Sequence, residues 1–168
     1  MGGRISIGIG GWVHAPWRGT FYPAGLKQKD ELAWLGQHLT ATEINATYYS
    51  TQKPATFANW AKAVPDGFRF AVKASRYCTN RRVLADAGDS VAKFVDQGIA
   101  ELGDRLGPIL WQFMPTKAFD PADFGAFWRC CLRALRVCRC VMRWKFGMTV
   151  SMTRPSSPWR NRPRPPSC

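Results

Sequence analysis

A chain of 168 residues with 46% hydrophobic content is enough for one core, and a formal charge of +13 would ordinarily point to nucleic acid or an anionic surface. The distribution of charge removes that inference: residues 1–127 hold 14 basic and all 11 acidic residues, a net of +3, whereas residues 128–168 hold ten basic residues and no acid. No apolar run approaches the roughly 18 residues of a membrane helix, MGGRISIGIGGW does not read as a secretory leader, and Cys78 is the only cysteine of the first part, so a soluble protein of the reducing cytoplasm is expected.

Ile5–Gly11 alternates Ile with small residues and reads as a buried first strand entering a Gly turn. Gly10-Gly11 lacks both the spaced glycines and the following helix of a phosphate-binding loop. Trp12, His14, Pro16, Trp17, Arg18, Phe21, Tyr22 and Pro23 form an aromatic loop, rigid enough to be a lid or a packing element. Asp30 is placed to cap a helix running to about His38. Ala41–Tyr48 reads as the second strand, and Pro54 to about Val64 as the second helix, with Pro at its start and Phe57, Trp60, Ala61 and Val64 on one stripe. The turn Pro65-Asp66-Gly67 precedes a third strand, Phe68–Ala74. Residues 77–89 read as a polar connection, Ser90 to about Leu102 as the third helix, Gly107–Phe113 as the fourth strand, and Pro121–Phe127 as the start of a fourth helix.

Strands alternating with helices at roughly 30-residue spacing predict a parallel sheet with helices outside it. The fold class expected is α/β, with about four N-terminal units of a (β/α)8 TIM barrel, a half barrel, followed by an irregular tail. In such folds sites form at the carboxyl ends of the strands, where Glu43, Asn45, Lys73 and Gln112 fall. On a strand, Glu43 and Asn45 share a face. Glu43 is the candidate general base, or a ligand for a metal or hydroxyl; Lys73 is the candidate for stabilising an anion or acting as an amine. The competing reading is that these two form a structural ion pair. Asn45, Gln112, Arg76 and Trp12 are candidates for binding substrate, and His14 and His38 are weaker. No cofactor and no metal ligand set is assigned.

The run Gly10-Gly11-Trp12, Trp17-Arg18-Gly19, Phe21-Tyr22-Pro23, Thr42-Glu43-Ile44-Asn45, Thr47-Tyr48-Tyr49, Phe70–Arg76 and Leu106–Gln112 resembles the YecE-like family, domain of unknown function 72. The resemblance covers residues 5–127 and implies a TIM barrel; the family has no settled reaction. His14 departs from the family's more usual aromatic such as Tyr, and Met114-Pro115 from its Leu-Pro-Pro.

Residues 128–168 carry five of the six cysteines, three Trp and five Pro, and resemble nothing in the family. They read as translation in a shifted frame. Joining the last base of each codon to the first two of the next, Phe127 into Trp128 forces Leu, Cys130 into Cys131 forces Leu, and Trp144 into Lys145 forces Glu. The hidden text continues the fourth helix and then permits Glu-Val-Arg-His, resembling the family's next strand. Other readings of this segment are metal binding through Cys130, Cys131, Cys138 and Cys140, which lacks paired zinc spacing, and non-specific anion binding by arginine. A helical stretch through Arg133, Leu135, Val137 and Val141 is also expected from propensity.

The expected parent is therefore a barrel enzyme acting on a substrate that bears phosphate or several hydroxyls. The alternative is a non-catalytic barrel binding nucleic acid or a protein partner. For this chain the expectation is no activity and poor folding unless open strand edges pair, because the tail is read as supplying no strand.

Overall fold

The computed structural model describes residues 5–134 and, as backbone, 142–146. Five strands, β1 Gly8–Gly10, β2 Ala41–Ile44, β3 Arg69–Lys73, β4 Leu106–Phe113 and β5 Met142–Phe146, form one sheet in the order β1-β2-β3-β4-β5. Every neighbouring pair is parallel. Parallel neighbours need a crossover, and helices supply it. These are α1 Glu31–His38, α2 Ala46–Tyr49 and α3 Pro54–Ala63, then α4 Arg76–Thr79, α5 Gly88–Asp96 and α6 Pro121–Ala134.

Alternation along the strands divides the sheet into two faces. Thr42 and Ile44, Phe70 and Val72, then Ile109, Trp111 and Phe113 are buried on one face. Helices cover that side: Phe94 of α5 and Phe127 of α6 meet Trp111 edge-on at 5.7 and 5.2 Å, and Phe124 lies 4.9 Å from Phe113. Positions 43, 71, 73, 110 and 112 alternate with these, take the other face, and are only half-buried. Close strand approach explains two small residues, since a Cβ on Gly107 would stand 2.8 Å from the Phe70 carbonyl oxygen and one on Gly8 2.0 Å from that of Ala41.

The expected elements are present, with five corrections. The first strand is Gly8–Gly10 at the sheet's edge and is not buried, Ile5 and Ile7 being 84% and 66% exposed. The second strand ends at Ile44 rather than Tyr48, because Asn45 turns into the helical region (φ −88°, ψ −21°) and α2 begins. Thr47 fixes that turn, its hydroxyl lying 3.2 Å from the Ile44 carbonyl and 2.7 Å from that of Lys73. The third helix stops at Asp96, and a 3-10 segment, Ile99–Arg105, follows Gly98, whose φ of 111° breaks the helix. The polar connection 77–89 is itself structured, holding α4 and a 3-10 turn, Leu84–Ala87. Finally, the segment read as supplying no strand contributes β5, paired from Ile109–Met142 to Phe113–Phe146. Met142–Phe146 is rich in strand-forming side chains, and the free edge of β4 offers a row of backbone groups to pair. Likewise α6 runs past Phe127 to Ala134. Leu135, Val137, Cys138, Cys140, Val141 and the Arg/Pro-rich residues 147–168 lie outside the described residues.

The aromatic loop is fixed at several points. The Tyr22 hydroxyl donates to the Trp12 carbonyl, Trp34 Nε1 donates to the Phe21 carbonyl at 2.9 Å, and Arg18 Nε meets Glu31 Oε1 at 2.7 Å. Burial and the Glu31 carboxylate both hold the Tyr22 phenol above its usual range, so it remains a donor. Asp30 takes the N-cap position of α1, but its side chain makes no capping bond.

Cys78 and Cys131 are both fully buried on the helix side. Burial pushes the Cys78 thiol up to about 12, while burial and then the neighbouring Cys78 and Cys130 raise that of Cys131. The thiolate is the reactive form. Peptide mapping after iodoacetamide treatment at pH 8 is therefore expected to find both unmodified in the native chain, with Cys130 labelled ahead of them. Labelling of Cys78 at the rate of a free thiol would contradict this packing.

Candidate functional site

The strand ends gather the predicted polar residues on the face without helices. Glu43 is level with Gly10 on β1 and Ala71 on β3; Lys73 is level with Leu110; Gln112 is level with Lys145. Because Ala71 and Lys73 stand two apart, as do Leu110 and Gln112, the three side chains climb one face of three adjacent strands in steps. Gly10 and Ala71, both small, flank Glu43 in register.

The Glu43 carboxylate makes neither a hydrogen bond nor an ion pair among the described residues, and the ion pair with Lys73 is absent there. Lys73 instead places its ammonium 4.8 Å from the centre of the Tyr48 ring. Asn45, though not in the strand, returns to the same edge. Its amide nitrogen lies 3.3 Å from the place a Cβ on Gly10 would occupy and 3.7 Å from that on Gly11. Gly11 (φ 81°) closes the turn by donating its N–H to the Glu43 carbonyl at 2.8 Å. That donor is consequently unavailable to a phosphate, in keeping with the absence of a phosphate-loop pattern. Gln112 is half-buried near the end of β4.

Arg76 is separate from this inner face. It is exposed at the start of α4, with its guanidinium 5.3 Å from the Tyr77 ring centre and Nη2 3.4 Å from the Tyr77 hydroxyl. Its pKa is raised by the Tyr77 hydrogen bond first, with smaller contributions from Tyr48 and Tyr49. Trp12 is also displaced from the inner face. Its ring meets Trp60 edge-on at 5.3 Å and Phe70 at 6.4 Å, a packing role in the aromatic loop. His14 lies 4.9 Å from Trp17, and His38 stacks on Trp34 at 4.4 Å while its Nδ1 contacts the Trp34 carbonyl at 2.8 Å.

Sequence reasoning missed a cleft of about 640 Å³ between the connections that follow β3 and β4, lined by Asn80, Arg82, Thr116 and Lys117 among others. Lys117 bonds Asp123 at 2.8 Å and the Arg82 carbonyl at 2.6 Å, and Asp120 Oδ1 caps α6 through the N–H of Ala122. Burial opposes ionisation of Asp123, but Lys117 and the N–H groups of Leu84 and Ala85 outweigh it and hold the carboxyl below its usual range. The signal for this cleft was present in Lys117, Asp120 and Asp123, whose spacing brackets the start of α6. Among the described residues no group of three His, Cys, Asp or Glu side chains is gathered to hold a metal, and no helix is long and apolar enough to cross a membrane.

Comparison with known proteins agrees with this architecture. The UPF0759 protein YunF of Bacillus subtilis (strain 168) is 27% identical over 116 residues, 66% of this chain and 40% of that protein. A crystal structure of a DUF72 family protein from Enterococcus faecalis V583 superposes with a TM-score of 0.67 at 19% identity, covering 85% of this chain and 50% of the other. A second crystal structure of that protein gives 0.58 at 18% identity, covering 83% and 51%. The chain thus spans about half the length, or less, of the relatives it matches, and the structural likeness carries the fold. The family described as protein of unknown function DUF72 matches residues 6–142, most of the chain and past Phe127, and the protein belongs to that family.

Proposed function

We propose that this chain carries part of the site of a (β/α)8 barrel enzyme that acts on a phosphate- or hydroxyl-bearing substrate. The observation that carries the reading is the placement of Glu43, Lys73 and Gln112 on one face of three adjacent parallel strands, at their carboxyl ends. In parallel α/β folds this edge is where substrates are bound. Glu43, half-buried and without a partner among the described residues, takes the proton. Lys73 faces the anionic oxygen, and Asn45 and Gln112 hold polar substituents. On this reading the chain alone holds half of a site and turns over nothing by itself. The segment after Phe127 is read as out-of-frame; what supports this is its ten basic residues with no acid and its five cysteines.

The test uses a full-length relative with substitutions at the positions matching Glu43 and Lys73. Glu43→Gln is expected to lower turnover by about a hundredfold while leaving substrate binding within a few-fold. A binding barrel is the second reading, favoured by the cationic and aromatic rim around Arg76; in that case no member of a phosphate-ester and glycoside panel would be turned over.

A further inference from the structure

We propose that the rim formed by α2 and α4 is a stacking platform for the unpaired bases of a single nucleic-acid strand, with Tyr49 and Tyr77 as its rings and Arg76 as its phosphate contact. Both helices begin at the carboxyl ends of adjacent strands, β2 and β3, so their residues share one edge of the sheet. Tyr49 and Tyr77 are 64% and 61% exposed, an unusual position for two large rings on neighbouring elements. Their neighbours are held in place. Asn80 Nδ2 donates to the Tyr48 hydroxyl at 3.2 Å, and Tyr48 meets Tyr49 edge-on at 5.0 Å. Arg81 binds the Tyr77 carbonyl through Nη2 at 2.7 Å and Ser90 Oγ at 2.8 Å, which fixes the end of α4.

Charge selects the ligand. Between Glu43 and Asp66, and again between Asp66 and Asp86, the sequence has no acidic residue, whereas Lys53, Lys73, Arg76, Arg81 and Arg82 fall in those stretches. Rings interleaved with cations, with no carboxylate in the intervening sequence, suit a polyanion that also offers flat apolar faces. A single strand does so, since its bases have π-faces to stack and its phosphates follow a basic track. In a duplex those faces are already stacked on one another. A neutral sugar would leave the cations unused. The proposal concerns the rim and does not depend on any reaction at Glu43.

The full chain is titrated into two labelled strands of about ten nucleotides, one of thymidine and one abasic, and binding is read by fluorescence anisotropy. The basic residues 128–168 offer phosphate contacts to both strands alike, and Trp128, Trp144 and Trp159 of that segment are the same in every variant, so the fall in the ratio of the two affinities on replacing Tyr49 and Tyr77 isolates those two rings. The thymidine strand is expected to bind at least about tenfold tighter. Tyr49→Ala with Tyr77→Ala should abolish that preference and leave abasic binding unchanged, while the two Tyr→Phe changes retain it. Both rings lie at the surface, and an unchanged far-UV circular dichroism spectrum establishes that the alanine variant is folded. Equal affinity for the two strands, or a preference that survives both alanine substitutions, would overturn the platform. Equally tight binding of a duplex, or equal displacement by a polyuronate of matched charge, would overturn the strand as its ligand. Glu43→Gln is expected to keep the preference; its loss there would overturn the assignment by moving the bases to the inner face.

Discussion

Replacing Trp111 with alanine is expected to lower the unfolding free energy by about 4 kcal/mol, read as a shift of the urea midpoint at unchanged slope. Trp111 is fully buried on β4, between β3 and β5, with Phe94 and Phe127 edge-on against it. Truncation removes the largest side chain of the layer joining sheet to helices. A middle strand has neighbours on both sides and cannot collapse into the space. Trp111→Phe separates packing from polarity. Its indole Nε1–H is buried without a partner among the described residues, and an unsatisfied donor costs about 1–3 kcal/mol. Phenylalanine loses volume but also removes that donor, so its net cost should stay under about 1.5 kcal/mol. Equal losses for the two variants would mean that the layer repacks freely, contrary to the close ring contacts.

The second large effect concerns the pair beneath the aromatic loop. Arg18→Ala should cost about 3 kcal/mol, the low end for breaking a buried pair, because the Arg18 side chain is 42% exposed and water can enter. Glu31, in contrast, is wholly buried; its Oε1 is held by Arg18 and its Oε2 has no partner among the described residues. Losing the guanidinium strands a carboxylate that only the start of α1 then stabilises. Glu31→Gln leaves Arg18 to be solvated and is expected to cost about 1 kcal/mol. Melting both variants beside the parent decides the point. If the glutamine variant were the weaker, the attraction between the charges, and not desolvation of the acid, would govern this corner.

The division between what could be read in the sequence and what could not follows from range. Strand and helix order was legible because period-two and helical stripes are local, and because Pro54 and Pro65-Asp66-Gly67 act on their own backbone; the break at Gly98 was not, since the apolar stripe continues past it to Ile99 and Leu102. The polar ends of the third and fourth strands were legible for the same reason: Lys73 and Gln112 fall at or next to the ends of recognisable strands. The end of β2 was not, since it depends on Thr47 reaching the carbonyl of Lys73, 26 residues away. For Trp12 the sequence offered packing beside substrate binding; its partners Trp60 and Phe70, distant in the chain, were not legible. The pairing of Met142–Phe146 with β4 was missed because composition was weighed there and strand propensity was not. The burial of Glu31 was not legible either, because it depends on Arg18 meeting it across the loop, 13 residues away.

The bond from Thr47 to the Lys73 carbonyl has a further effect. It ties the helix that follows one strand to the end of the next, so Tyr48, Tyr49 and Lys73 move as a single piece. Little conformational entropy then remains to be lost when a ligand arrives. Association at this rim should be set by diffusion and charge rather than by ordering of a loop, with rates that fall as salt is added.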